Sequence, residues 1–345
     1  MVVDQVAPVG PRTLNDVPGW FFWMDRLMFD TLLTAQQDTT SGHLVELGCF
    51  LGKSAIVIGA YRREDERFVV VDLFEYTDLL GANQRNLSES KRSYSSLTQQ
   101  AFEQNYGALR GELPEVVAGL SSSVTDHLPD GSVRFMHVDA SHLYEAVRGD
   151  VAAAKQLIRP GGLVVFDDFR SEHTPGTTAA VWQAVVNDGL VPVALTPNKM
   201  YAVFSDPEPY LAAAEALAAA DDRISAEWHL IAGHRLIRLG QSAKAKEQER
   251  ARRLAREDAE RAKSSATENQ RITKAVHEAL AADRRDRAAA AARAERRKAE
   301  RAAERQAAAT PTTLAGKIRH RMARDFAPPA LVRWARRRRQ ALRGR

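Results

Sequence analysis

Residues 135–169, FMHVDASHLYEAVRGDVAAAKQLIRPGGLVVFDDF, leave this chain little freedom in how it folds. Two short apolar runs each end in acid. Val133–Val138 stops at Asp139, and Leu163–Phe166 stops at Asp167-Asp168. Between them Val147, Val151 and Ala154 recur at helical spacing, followed by Leu157 and Ile158. Pro160-Gly161-Gly162 then stops the helix and turns the chain. Strand, helix and strand form a crossover unit, which makes the two strands parallel. Their carboxyl ends fall on one edge of the sheet, where open α/β sheets take ligands. The spacing therefore predicts that Asp139, His142, Asp167 and Asp168 meet at one spot; the alternative is that the acids only cap loops.

The alternation continues on both sides. His43–Leu47 is predicted as a first strand and Lys53–Tyr61 as the helix after it. Phe68–Val71 is a second strand, ending at Asp72, and a third lies near Glu115–Ala118. Residues 178–187 read as helix, and Val191–Leu195 with Met200–Phe204 as a closing pair of strands. Such an order implies a doubly wound α/β sheet. Trp20–Ala35 is predicted as a helix on the body, with Trp20, Phe21, Phe22 and Trp23 packed in the core or, alternatively, forming a substrate wall. Residues 76–110, polar and carrying Tyr76, Tyr94 and Tyr106, read as a helical insert or lid.

Charge divides the chain. Residues 1–240 hold 19 Lys and Arg against 31 Asp and Glu, whereas residues 241–345 hold 30 against 13. An acidic body is thus followed by a basic tail that suits an anionic surface. The single cysteine, Cys49, excludes an intrachain disulfide and fits a reducing cytoplasm. No apolar run approaches a membrane span, and the N-terminus lacks the pattern of a signal peptide. The expected divisions are a cap over 1–40, the sheet domain over 41–206, a docked helix or helical pair over 207–240, a charged helical spacer over 241–310 and a basic amphipathic tail over 311–345. The spacer is almost wholly Ala, Arg, Lys, Glu and Gln, which suits a helix with i,i+4 ion pairs. It shows no sustained heptad, so a coiled coil is weakly specified.

In the tail Leu314, Ile318, Met322 and Phe326 recur every four residues among Lys317, Arg319, Arg321 and Arg324, and Arg336–Arg339 follow. Basic residues with an apolar face suit an anionic membrane surface. Nucleic acid is the rival partner.

The first strand runs into Glu46-Leu47-Gly48-Cys49-Phe50-Leu51-Gly52-Lys53-Ser54. Gly48 allows a tight turn close to a ligand, and Gly52 and Ser54 lie where the next helix starts. Asp72, 24 residues after Gly48, is placed to accept hydrogen bonds from ribose hydroxyls. The loop is not the GxGxxG of a pyrophosphate binder, which argues against a nucleotide-cofactor oxidoreductase.

The ExGxxxG spacing with Asp72 closing the next strand resembles the S-adenosylmethionine site of class I methyltransferases. Joined to VDASHLYEAVRGD, RPGG and DDF, it resembles the family of macrocin and related sugar O-methyltransferases. That resemblance covers about residues 40–205 and implies a Rossmann-like fold, a seven-stranded, mostly parallel sheet with one antiparallel strand. It implies that Glu46, Gly48 and Gly52 surround the methionine end of the cofactor, that Ser54 is also cofactor-binding, that Asp72 holds the ribose and that Ser121 lies near the adenine. Asp139, Asp167 and Asp168 match the metal positions of its divalent-dependent members, a carboxylate set suited to Mg2+, Mn2+ or Ca2+. His142, or Asp139 itself, is then the candidate base, because imidazole titrates near neutrality. Tyr144 and Asp150 read as packing and helix–loop bonding, and His173 as a substrate contact. The expected activity is O-methylation of a sugar, glycan, glycolipid or glycosylated metabolite in the cytoplasm, peripheral to the inner face of the plasma membrane, with a homo-oligomer compatible. The alternative is a non-catalytic adaptor whose tail carries the function.

Overall fold

Residues 10–76 and 97–309 are described by the computed structural model of the chain. Contacts divide it into two units, residues 1–252 and 253–345. In the first, α1 (Trp23–Ala35) precedes β1 (His43–Leu47), α2 (Lys53–Gly59) and β2 (Phe68–Asp72). Then come α3 (Gln99–Arg110), β3 (Glu115–Ala118), a 3-10 turn at Ser121–Asp126 and β4 (Val133–Val138). The crossover helix α4 (Tyr144–Leu157) leads into β5 (Ile158–Phe166), α5 (Pro175–Asn187), β6 (Val191–Leu195) and β7 (Met200–Val203). α6 (Glu208–Ala220), β8 (Ile224–Ile231) and β9 (His234–Gln241) follow.

The strands form one sheet in the order β3-β2-β1-β4-β5-β7-β6-β9-β8. β1 to β5 are mutually parallel, and β7 runs antiparallel to both β5 and β6. Strand order reverses between β1 and β4, which makes their carboxyl ends the topological switch point. β4 is buried along its whole length, as a central strand covered on both faces must be. Phe135 joins the apolar layer under α1, α2 and α6, whereas Met136 and Val138 join the layer under α4 and α5.

The seven-stranded expectation is corrected to nine. Residues 207–240 are not a helical pair: only Glu208–Ala220 is helical, and the remainder is the β8–β9 hairpin. Its turn, Ala232-Gly233, places both residues at positive φ, as a two-residue hairpin turn requires. β9 joins β6 in parallel and moves the sheet edge outward. α1 begins at Trp23 rather than Trp20, because Phe22 is extended as its N-cap.

Arg134 interrupts β4. His43 pairs with Val133 but Leu44 pairs with Phe135, so Arg134 is the extra residue of a bulge. Its guanidinium is fully buried. Nε and Nη2 donate to the two carboxylate oxygens of buried Glu66 at 2.8 Å each. Nη1 donates to Gln36 Oε1 at 2.9 Å and Nη2 to the Tyr61 carbonyl at 2.7 Å.

α7 (Ala243–Ala309) begins in the first unit and makes up all that is described of the second. Its residues from 251 to 307 are exposed, as its charged, alanine-rich composition dictates. Ion pairs one turn apart, Arg253–Glu257 and Asp283–Arg287, lie along it. No described helix is long and apolar enough to cross a membrane. The Tyr94 part of the insert and the basic tail, 311–345, lie outside the described residues.

Candidate active site

The first residue beyond each parallel strand is hydrogen-bonded to the neighbouring strand. Gly48 N donates to the Val71 carbonyl at 2.8 Å, Asp139 N to Leu47 at 2.7 Å and Asp167 N to Val138 at 2.9 Å. The ladder thus brings the loops after β1, β4 and β5 to one level. They open on a cavity of about 1300 Å³, which also takes in Asp72, Ser121 and the segment Gly19–Phe22.

Gly48 (φ 79°) is required by a close approach: a Cβ there would lie 2.2 Å from the Asp139 carbonyl oxygen. Gly52 (φ 93°) caps α2 where a Cβ would press on the Phe102 ring at 3.0 Å. Asp72 fixes this loop. Its Oδ2 accepts from Cys49 N at 2.7 Å and Phe50 N at 3.0 Å, and its Oδ1 from Phe74 N at 2.8 Å. Burial nonetheless holds its carboxyl above the ordinary range, against those amides. Ser54 lines the cavity, and so does Ser121, whose hydroxyl bonds Asp150. Burial pushes Asp150 up to about 6.

Glu46 is placed differently from its neighbours in the motif. It is fully buried, and its Oε1 lies 2.7 Å from His137 Nδ1. Lys199 Nζ donates to His137 Nε2 at 3.0 Å, so the ring proton sits on Nδ1 and is donated to Glu46. Burial raises Glu46 well above, and lowers His137 well below, their ordinary values. Glu46 Oε2 is buried without a hydrogen-bond partner.

Three carboxylates and one imidazole also line the cavity, beside the Gly48 loop. His142 Nε2 lies 3.0 Å from Asp168 Oδ2 and 4.0 Å from Asp139 Oδ1. Burial would lower His142, but its bonds to Asp139 and Asp168 prevail and lift it to about 10. The two carboxylates thus favour the protonated imidazole. The same bond, with Ser171, holds Asp168 down at about 2 despite partial burial. Burial and the charges of Asp167 and Asp168 raise Asp139 to about 7. Asp167 faces inward and pairs with Lys199. His173 lines the cavity with its ring 6.4 Å from that of His142.

Sequence reasoning missed Lys199. This lysine, just before β7, is buried and lies 5.6 Å from the Phe21 ring centre and 5.9 Å from that of Phe29. Burial disfavours its charge, yet Asp167, Asp139 and Asp25 hold its pKa above the ordinary value. The one available signal was a charge inside the apolar stretch MYAVF and its flank. The core reading of Trp20 to Trp23 holds for Phe21 and Trp23, which pack against the core. It fails for Trp20 and Phe22, which are exposed and edge the cavity. Lys53 Nζ donates to the Gly19 carbonyl at 3.2 Å, and Trp20 and Phe50 stack at 5.5 Å, which holds this segment over the glycine loop.

A family model described as "Methyltransferase domain" matches residues 45–169. No curated protein matches the chain. Among solved structures the O-methyltransferase NovP is 18% identical over 53% of this chain and 81% of its own, with a TM-score of 0.44. CalS11, a TDP-rhamnose 3'-O-methyltransferase, is 18% identical over 53% and 80%, at 0.36. An O-methyltransferase from Bacillus cereus in complex with SAH is 17% identical over 65% and 82%, at 0.32. Residues 45–169, with the glycine loop after β1 and the acids after β2, β4 and β5, are thus the part of the chain that matches the methyltransferase-domain model.

Proposed function

We propose that the chain is a divalent-metal-assisted O-methyltransferase whose acceptor is a hydroxyl of a sugar, glycan, glycolipid or glycosylated metabolite. The observation that carries the reading is the convergence of Asp139, His142, Asp167 and Asp168 on the switch-point cavity. The residues fit both ligands that the reading needs. Gly48, Cys49 and Phe50 line the cavity beside Asp72, and three carboxylates supply oxygen donors suited to a hard dication. When bound, S-adenosylmethionine supplies a sulfonium-activated methyl group, and a dication lowers the cost of an alkoxide.

The chain's own residues do the rest. Asp72 and the backbone it orders set the cofactor loop in place before binding. His142, or Asp139 itself, accepts the acceptor's proton in this reading. His142 Nε2, 3.0 Å from Asp168 Oδ2, ties the loop after β4 to the loop after β5. Bringing two reactants into line is worth roughly 7–11 kcal/mol, so rigid loops matter more than any one base. The sugar class follows the resemblance of VDASHLYEAVRGD, RPGG and DDF to sugar O-methyltransferases.

The test is transfer of labelled methyl from S-adenosylmethionine into lysate fractions of lipids, polysaccharides and small metabolites, with Mg2+ and with EDTA. Label is expected in a glycan or glycolipid fraction only when metal is present. Transfer unaffected by EDTA would remove the metal. An Asp167→Ala, Asp168→Ala chain that keeps all its biological function would favour the adaptor.

The basic segment 311–345 is proposed to hold the enzyme at an anionic membrane surface, on the inner leaflet, near a lipid-linked acceptor. Its alternation of arginines with Leu, Trp and Phe supports a membrane over nucleic acid. Flotation with anionic liposomes is expected to recover the full chain and not one ending at residue 240. Equal recovery of both would sink the idea.

A further inference from the structure

The sheet has two edges, and they differ. One is β3, four residues long, where Glu115 is tied down by Arg67. The other is β8, eight residues long, and no described strand pairs with its outer side. A long edge strand is a row of backbone donors and acceptors ready to pair with another chain. The hairpin fixes which of these groups are free. The carbonyl of Arg223, the residue before β8, accepts from Ser242 N at 2.8 Å. In an antiparallel pair the residues that bond the partner alternate with residues that turn the other way. Odd-numbered residues of β8 therefore bond β9, and Ala226, Trp228 and Leu230 turn their N–H and C=O groups outward.

The side chains of this edge are apolar on one face and charged on the other. Ile224, Ala226, Trp228 and Leu230 share a face. Ile224 is buried in the core, whereas Trp228 is 38% and Leu230 73% exposed. Arg235, from β9, lies 4.6 Å from the centre of the Trp228 ring and braces it. On the opposite face Glu227 pairs with Arg238 at 3.0 Å, and its side chain is still 62% exposed. His229 follows two residues later on that face.

A second β8 laid antiparallel on this edge must set even-numbered residues against even-numbered ones, so that the outward groups meet. Two central registers satisfy this. With Glu227 on the two-fold axis, two carboxylates face each other, which is destabilising. With Trp228 on the axis, Glu227 faces the partner's His229, Ala226 faces the partner's Leu230, and the two Trp228 rings meet. A carboxylate then faces an imidazole that can donate to it, and a small side chain faces a large one. Every outward amide and carbonyl of Ala226, Trp228 and Leu230 gains a partner. The contact is self-complementary, as a two-fold interface requires. We propose that the outer edge of β8 is a self-association surface, pairing antiparallel about Trp228 with β8 of a second copy of this chain. Two sheets are thereby joined into one. The proposal stands apart from the methyl-transfer reading.

Sedimentation velocity of the full chain from about 1 to about 100 µM is expected to show a monomer–dimer equilibrium, with dimer predominant at the upper end. Leu230→Lys puts a charge at an exposed position of the edge. Ala226→Pro removes one outward N–H, which an edge strand can spare without unfolding. Each is expected to weaken the dimer by at least about tenfold, with the thermal melt of the monomer little changed. The register is read by cysteine cross-linking. The Cα atoms of facing residues in a hydrogen-bonded antiparallel pair lie about 5.5 Å apart, within reach of a disulfide. Trp228→Cys is therefore expected to give a disulfide-linked dimer on mild oxidation, and Glu227→Cys, which faces the partner's His229, is not. The parent chain is the blank, since its one cysteine, Cys49, is buried. The proposal is overturned if the parent is monomeric at about 100 µM. It is equally overturned if the dimer survives both Leu230→Lys and Ala226→Pro, which would put the contact on another surface, or if Glu227→Cys cross-links more readily than Trp228→Cys.

Discussion

Glu66→Ala is expected to destabilise the protein by about 3–5 kcal/mol, the cost of leaving a buried guanidinium without its partner. Arg134 and Glu66 are both buried, and they are joined by two parallel bonds of 2.8 Å. Glu66 also accepts from Gly42 N and Arg63 N at 3.1 Å each, so its removal unties the loop before β1 as well. Urea unfolding at pH 7 would measure the loss. Adding Arg134→Met should recover at least about 1 kcal/mol, since the orphaned charge goes with it. Recovery is incomplete because Gln36 Oε1 and the Tyr61 carbonyl lose their donor. Simple additivity of the two substitutions would refute the pair's role. The pH dependence has a definite sign. Burial would raise Glu66, but bonds from Arg134, Arg63 and Gly42 prevail and hold it below its ordinary 4.5. A lowered acid contributes stability above its unfolded value and loses it as pH falls through the folded one. The gap between parent and Glu66→Ala should therefore narrow below about pH 4.5 and stay constant above it.

Gly48→Ala is expected to abolish SAH binding and to cost about 2–5 kcal/mol of stability. Left-handed strain accounts for about 1–2 kcal/mol and steric overlap for about 1–3. The added methyl would lie 2.2 Å from the Asp139 oxygen and 2.7 Å from Ala140 Cα. Both are backbone atoms, and Asp139 N is tied to the Leu47 carbonyl, so neither loop can yield without parting β1 from β4. Calorimetry with SAH and a thermal melt would read the two effects. Binding within threefold of the parent would show that the loop tolerates a side chain where the geometry forbids one. By contrast, a Cβ at Gly131 meets nothing within 4 Å, so Gly131→Ala is a control for φ alone.

Much of the central sheet was legible because its strands are short, mostly apolar runs that end at Gly or Asp. Val133–Val138 and Glu115–Ala118 form strands at the residues expected. Asp139, His142 and Asp168 meet because strand order and a crossover helix decide which loops are neighbours. What escaped depends on contacts between distant residues. Lys199 is 32 residues from Asp167 and 62 from His137, and no local pattern announces such a partnership. The β8–β9 hairpin followed an alanine-rich helix, and Ala232-Gly233 lacks the Asn-Gly or Asp-Gly signature of a tight turn. The pairing of Asp167 with Lys199 and of Asp168 with His142 is a side-chain geometry invisible in the letters DD.

The contact of Gly48 with Asp139 and Ala140 has a thermodynamic corollary. The loop that surrounds the methyl donor and the loop that bears the acids share a backbone surface with no slack. An ion that displaces the Asp139 loop must alter affinity at the Gly48 loop. Reciprocity then obliges the methyl donor to alter ion affinity by the same factor. Under the proposed metal-assisted reading, this coupling is readable as a pair of equal ratios in two titrations.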